Sequence, residues 1–193
     1  KSKIINAFRQ SIKDASLVIS TGGLGPTNDD ITRYAVAKFL GEDTVFDLNS
    51  WQKIETHFKD RNIEVSPTNK RQCYFPKTAE VINNPLGTAN AFKVSHSDYN
   101  IYVLPGPPRE ISAIWDDFLS KDLDAASTNK MRLIIWKLIG IRESNLAEMI
   151  EPIIDASKIT SGYRPHVPYI ELKLWIEEDL YDSEKGNLES YDL

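Results

Sequence analysis

Between Leu17 and Thr32 the chain reads LVISTGGLGPTNDDIT, a stretch that concentrates residues able to handle an anion. Gly22, Gly23 and Gly25 leave the backbone without side-chain cover, so its N–H groups and the positive end of a following helix can hold a phosphate. Thr21 and Thr27 add hydroxyl donors. Asp29 and Asp30 come next, and two carboxylates beside a phosphate repel it unless a divalent cation lies between. The chemistry predicted is a metal-bridged phosphate or pyrophosphate site. One aspartate, Asp30, holds the metal, the other caps the next helix, and both are catalytic candidates.

Further polar groups lie downstream. Asn69, Lys70, Arg71 and Gln72 form the densest donor cluster in the chain. Gly87 and Thr88 offer a second turn with free N–H groups, and Gly106 beside Pro105 permits close backbone approach. Glu110 falls in the first turn of a helix, where a carboxylate is favoured, and is a catalytic candidate as well as a structural one. The histidines His57, His96 and His166 share no metal-ligand spacing.

The elements that must position these groups follow from apolar spacing. Ile4, Ile5, Phe8, Ile12 and Ala15 mark a helix over 1–15, and Leu17, Val18 and Ile19 a buried strand. Ile31, Tyr34, Ala35 and Phe39 continue as a helix that stops at Gly41. A further helix runs from Ser50, capped by Asn49 or Ser50, with Trp51, Ile54 and Phe58 on one face. Short strands follow over 79–82, 91–95 and 100–104, the last two as a hairpin. Pro105 to Pro108 then open a helix with Ile111, Ile114, Trp115 and Phe118 as its buried face. The small polar tract DAASTN from Asp124 to Asn129 marks a boundary between units over 1–123 and 130–193. Beyond it come a strand over 131–138, a helix from about Ser144, a loop containing Gly162, Pro165 and Pro168, and a strictly alternating strand from Tyr169 to Ile176. The alternation predicts an α/β domain followed by a smaller α+β one.

Composition narrows the function classes. In 193 residues, 41% are hydrophobic and 26% charged, which is ordinary for a globular chain. A net charge of -5 and a pI near 5.3 argue against a general nucleic-acid binder, though a small phosphorylated molecule needs only a local donor cluster. The single cysteine, Cys73, excludes an internal disulfide and fits a cytoplasmic setting. No apolar run is long enough to span a bilayer.

The glycine stretch lacks the G-K-[ST] of a P-loop and has Asn28 where a Rossmann turn has its third glycine. The string TGGLGPTNDDIT instead closely resembles the signature of the competence/damage-inducible protein A (CinA) family and its molybdopterin-binding-like fold. TNKRQCYFP from Thr68, NPLGTANAF from Asn84 and LPGPPREI from Leu104 follow in the family's order. The segment from Met131 to Ile176 also looks like that family's small second domain. One departure is plain: Asn90 and Ala91 stand where the family usually has Pro and Gly.

The resemblance implies a three-layer α/β/α domain preceded by one more strand before Lys1, and a nucleoside diphosphate ligand. It also implies pyrophosphatase activity on ADP-ribose, dependent on a divalent cation such as Mg, Mn or Co. Many members carry a separate deamidase domain, for which this chain has no room. On that reading Arg71 becomes a clamp for phosphate or ribose. Two rivals stand beside it: molybdopterin binding or adenylyl transfer in molybdenum-cofactor biosynthesis, and a non-catalytic ligand-binding or assembly module. A homodimer is expected from the small second domain's need to bury its apolar strand face.

Overall fold

The structure, a computed structural model, describes residues 2–126 and 131–181. It divides into two compact units, Lys1–Ala125 and Ala126–Leu193.

The first unit opens with α1 (Ser2–Asp14), β1 (Leu17–Thr21), α2 (Thr32–Leu40), β2 (Thr44–Phe46) and α3 (Leu48–Lys59). A 3₁₀ helix (Pro67–Cys73) leads into β3 (Tyr74–Pro76), β4 (Glu80–Ile82), β5 (Ala91–Ser95) and β6 (Asn100–Leu104). The unit closes with α4 (Pro108–Ile114), a π-helical turn (Trp115–Leu119) and α5 (Ser120–Ala126). The main sheet has the order β1-β6-β5-β4, with β1 parallel to β6 and β5 antiparallel to both its neighbours. β1, β6 and β4 therefore run the same way and deliver their carboxyl ends to one edge. β2 and β3 pair separately.

Alternation along β6 sorts the core into two layers. Ile101 and Val103 pack with Phe8, Leu24, Val36, Phe75, Phe92 and Val94, while Tyr102 and Leu104 pack on the opposite face with Ile82, Ala91, Ile114 and Leu119. This is the three-layer α/β/α arrangement.

Four local expectations are corrected. β1 is not a fully buried strand: it lies at the edge of the described sheet, and Leu17 and Ile19 are 41% and 43% exposed. α2 starts at Thr32 after Ile31, which makes no side-chain cap, so neither Asp29 nor Asp30 caps it. α3 is capped by Asp47, whose carboxylate accepts from the Ser50 amide, rather than by Asn49 or Ser50. In the helix after Pro107 the wider π turn shifts the buried face to Ile114 and Leu119 and leaves Trp115 44% exposed.

α5 is tied to the sheet by Asp122, which accepts from Lys93 Nζ of β5 at 2.7 Å and from Tyr102 Oη of β6 at 2.6 Å. These bonds hold the Asp122 carboxyl below its ordinary value of 3.8. A depressed carboxyl stabilises the fold above its unfolded value and loses that contribution as pH falls through the folded one. Asp122→Asn is expected to cost about 1–2 kcal/mol at pH 7, with the gap to wild type closing below about pH 4. Urea melts at the two pH values measure this, and an equal gap at both would refute it.

The second unit carries β7 (Met131–Ile139), α6 (Glu143–Ile150), β8 (Ile159–His166) and β9 (Tyr169–Glu177) in an antiparallel sheet of order β7-β9-β8. Leu146 and Ile150 of α6 pack on Ile159, Ile170, Leu172, Leu174 and Ile176. The tract with Gly162 and Pro165 is thus an edge strand, not a loop; at an edge, a missing N–H and a missing side chain are tolerated. At Gly162 a Cβ would lie 2.9 Å from the Trp175 ring, so the bare backbone leaves room for the indole. Among the described residues no helix is long and apolar enough to cross a membrane.

Candidate functional site

The parallel register Leu17↔Asn100 to Thr21↔Leu104 brings the ends of β1 and β6 level, and the Gly22 amide adds one more bond to Leu104 O at 2.9 Å. Two corners therefore leave the sheet side by side. A Cβ on Gly106 would lie 3.8 Å from Gly22 Cα, so the corners face each other as backbone. β4 brings the turn 84–89 to the same edge, and the 3₁₀ helix brings Gln72.

Together they line a cleft of about 350 Å³. Of the residues expected from sequence, Gly22, Gly23, Gly25, Asp30, Thr88, Pro105, Gly106 and Glu110 line it. Leu24, Gln72, Ala89 and Pro107 line it as well. Gln72 belongs to the donor cluster already marked, whereas Leu24 and Pro107 simply flank the predicted glycines. The other expected residues do not line it. Thr21 and Asp29 are exposed, and Thr27 turns its hydroxyl to the Asp29 and Asp30 carboxylates. Arg71 Nη1 donates to Asn28 Oδ1, and buried Asn69 donates to Gln72 Oε1 at 3.2 Å, while Gln72 Nε2 donates to Thr88 Oγ1 at 3.2 Å. Gly87 lies behind Glu110: a Cβ there would meet the carboxylate at 2.6 Å.

The glycine loop is held from behind. Gly22 and Gly23 have φ of 89° and 70°, which favour glycine, and a Cβ on Gly23 would strike Thr32 Oγ1. Thr32 Oγ1 instead donates to Gly22 O at 3.0 Å. Arg33, with no exposed surface, donates to Leu24 O at 2.7 Å and Gly25 O at 2.9 Å. Burial pulls its guanidinium down to about 10, opposed by Tyr34 and Asp30, so it is a cation at neutral pH. Sequence reasoning missed Arg33; its signal was a basic residue beside the apolar positions Tyr34, Ala35 and Val36.

Among the residues lining the cleft, Asp30 and Glu110 carry the only charges. Burial works against the Asp30 charge, but the Thr27 hydroxyl, the Thr27 and Gly25 amides and Arg33 outweigh it, so this carboxyl ionises below its ordinary value. Thr27 donates to Oδ2 through both its amide, at 3.0 Å, and its hydroxyl, at 2.6 Å. Glu110 Oε2 accepts from Asn84 Nδ2 at 2.7 Å. Lys53 donates to Asn84 O and, at 3.1 Å, to Asn90 Oδ1. Its ammonium is lowered by burial and supported by Glu110. A fully buried guanidinium thus lies behind the loop of Asp30, and a half-buried ammonium lies near Glu110.

A family model described as "Probable molybdopterin binding domain" matches residues 1–125. The chain belongs to that family. A "Putative competence-damage inducible protein" of Clostridium botulinum (strain 657 / Type Ba4) is 31% identical over 186 residues, 96% of this chain and 45% of the relative. One of the same name from Natranaerobius thermophilus is 38% identical over 154 residues, 78% of this chain and 37% of the relative. The chain therefore spans less than half the length of these relatives. A crystal structure of the protein CinA, of unknown function, from Thermoplasma acidophilum aligns with a TM-score of 0.57 and 31% identity, covering 63% of this chain and 70% of that one. The CinA resemblance read from the four motifs agrees with these relatives, and a domain of the molybdopterin-binding family implies a small-molecule ligand.

Proposed function

We propose that this domain hydrolyses a nucleoside diphosphate compound such as ADP-ribose with a divalent cation. The observation that carries the reading is the charge of the cleft: a glycine backbone wall and two carboxylates, Asp30 and Glu110, with no Lys, Arg or His among its lining residues. A free diphosphate would be repelled there, whereas its complex with a divalent cation would be attracted. The donor set fits such an ion. Asp30 and Glu110 offer the hard carboxylate oxygens that a magnesium-like cation takes, and the ligand's phosphates would supply further oxygens.

In this reading Asp30 would hold the cation and the Gly22–Gly25 backbone amides would face the phosphates. Glu110 orients a water and takes its proton. A divalent cation held there would supply charge neutralisation of the diphosphate and Lewis acidity toward the water. Arg33, attracted by Asp30, and Lys53, attracted by Glu110, place positive charge behind the two carboxylates.

One observation favours a second reading. The family model that matches 1–125 is described by molybdopterin binding, which favours a pterin ligand or adenylyl transfer. Purified protein mixed with ADP-ribose and Mg, Mn or Co is expected to release AMP, and calorimetry to show ADP-ribose binding only when the metal is present. Absence of AMP with every metal, together with tight pterin binding, would overturn the hydrolase reading.

A further inference from the structure

Asn84 makes more bonds than its place in a turn requires. It has no exposed surface, and every polar atom of its side chain is engaged. Oδ1 accepts from the Leu86 amide at 3.1 Å and the Gly87 amide at 3.0 Å, while Nδ2 donates to Ala89 O at 3.0 Å and to Glu110 Oε2 at 2.7 Å. The first three bonds shape the turn that presents Thr88 and Ala89 to the cleft. The fourth crosses to another element and fixes one oxygen of the cleft carboxylate.

A second layer holds Asn84 itself. Its amide donates to Asn90 Oδ1 at 3.0 Å, Lys53 donates to its carbonyl, and Asn90 Nδ2 donates to Ser50 Oγ at 2.9 Å. Asn90 is 5% exposed, so α3, the turn and α4 meet in one buried polar knot. Gly87 completes it, since a Cβ there would lie 2.7 Å from Asn84 Nδ2 as well as 2.6 Å from Glu110 Oε2. A polar network in which each partner is satisfied sets a single geometry, because any one broken bond leaves a buried group unpaired.

We propose that Asn84 is a positioning residue: it locks the Glu110 carboxylate and the Thr88–Ala89 turn into one rigid wall of the cleft, with one Glu110 oxygen bound to it and the other left for the reaction. This rests on the hydrolase reading for what Glu110 does, and on the structure alone for the lock.

The lock is tested by exchanging the two partners. Asn84→Asp keeps the oxygen that holds the turn but sets a carboxylate against a carboxylate, and is expected to lower the melting temperature by about 5–10 °C. Asn84→Asp combined with Glu110→Gln lets the new amide donate to the new carboxylate, and should melt above Asn84→Asp alone. A double variant no more stable than Asn84→Asp would overturn the lock.

The positioning role is read from turnover. Asn84→Ala should lower kcat more than it raises KM. It should also add less than twofold to the loss in a Glu110→Gln background, because residues that act as one unit are not additive. Independent, multiplying losses would mean that Asn84 only shapes the turn, and would refute the role. If wild-type protein releases no AMP with any metal, the hydrolase reading falls, and the melting exchange still decides whether Asn84 locks Glu110.

Discussion

Asp30→Asn is expected to lower metal-dependent turnover at least about 10²-fold while leaving the fold in place. An asparagine at this position keeps an oxygen that can accept from the Thr27 amide and hydroxyl, bonds now made by Asp30 Oδ2 at 3.0 and 2.6 Å. It loses the charge that faces the cleft and attracts Arg33. The cost in stability is therefore about 1 kcal/mol, the difference between a charge-assisted bond and a neutral one. Asp29→Asn is the control. Asp29 is exposed, lies off the cleft and accepts from the Thr27 hydroxyl, so the variant's turnover should stay within about twofold. Steady-state rates with each metal, alongside circular dichroism melts, separate the two. Full activity in Asp30→Asn would remove this carboxylate from the mechanism.

Arg33→Met is expected to destabilise the first unit by about 3 kcal/mol and to weaken metal-dependent ADP-ribose binding in the protein that remains folded. Methionine fills much of the volume, so the loss is not mainly a cavity. The cost comes from the Leu24 and Gly25 carbonyls, which receive the guanidinium at 2.7 and 2.9 Å in the interior and belong to the backbone, so no neighbouring change removes them. Arg33→Lys should fall between the two, because one ammonium on a flexible stem cannot reach both carbonyls with the fixed fork of a guanidinium. Urea denaturation of the three proteins measures the order. Equal midpoints for wild type and Arg33→Met would mean that water satisfies both carbonyls, and that the loop needs no support from behind.

The two variants act on opposite sides of one loop. Asp30 stands in the cleft and Arg33 is buried behind the glycines. The short stretch Gly22 to Arg33 thus supplies a backbone wall, a carboxylate at its rim and a cation in its support.

Much of this was legible in the chain. Periodicity marked α1 and the alternating face of β9, because one buried face repeats at a fixed spacing whatever lies opposite, and short apolar runs between turns marked the positions of β1 and the β5–β6 hairpin. Glycines next to a strand end marked both corners, and motif order identified the fold. What failed were features decided by neighbours. The cap of α3 fell on Asp47 because the chain enters that helix from β2, which no local pattern announces. Trp115 lost its place in the core when the π turn moved burial to Leu119. β8 hid behind Gly162 and Pro165, residues that read as a loop until an edge position and the Trp175 ring explain them.

The same division holds at the site. Residue types by themselves determined that a glycine-rich strand-to-helix corner with adjacent carboxylates would exist, and that Asp30, Thr88, Gly106 and Glu110 were worth attention. Such chemistry depends on short-range spacing, and short-range spacing is written in the chain. Tertiary structure alone decided that Asp30 and Glu110 share a cleft while Asp29, Thr27 and Arg71 stay outside it. It alone placed Arg33 and Lys53 behind them. Parallel strands β1, β6 and β4 bring together turns separated by dozens of residues, and which side chains meet there is set by strand order and register, quantities that no single stretch of sequence contains.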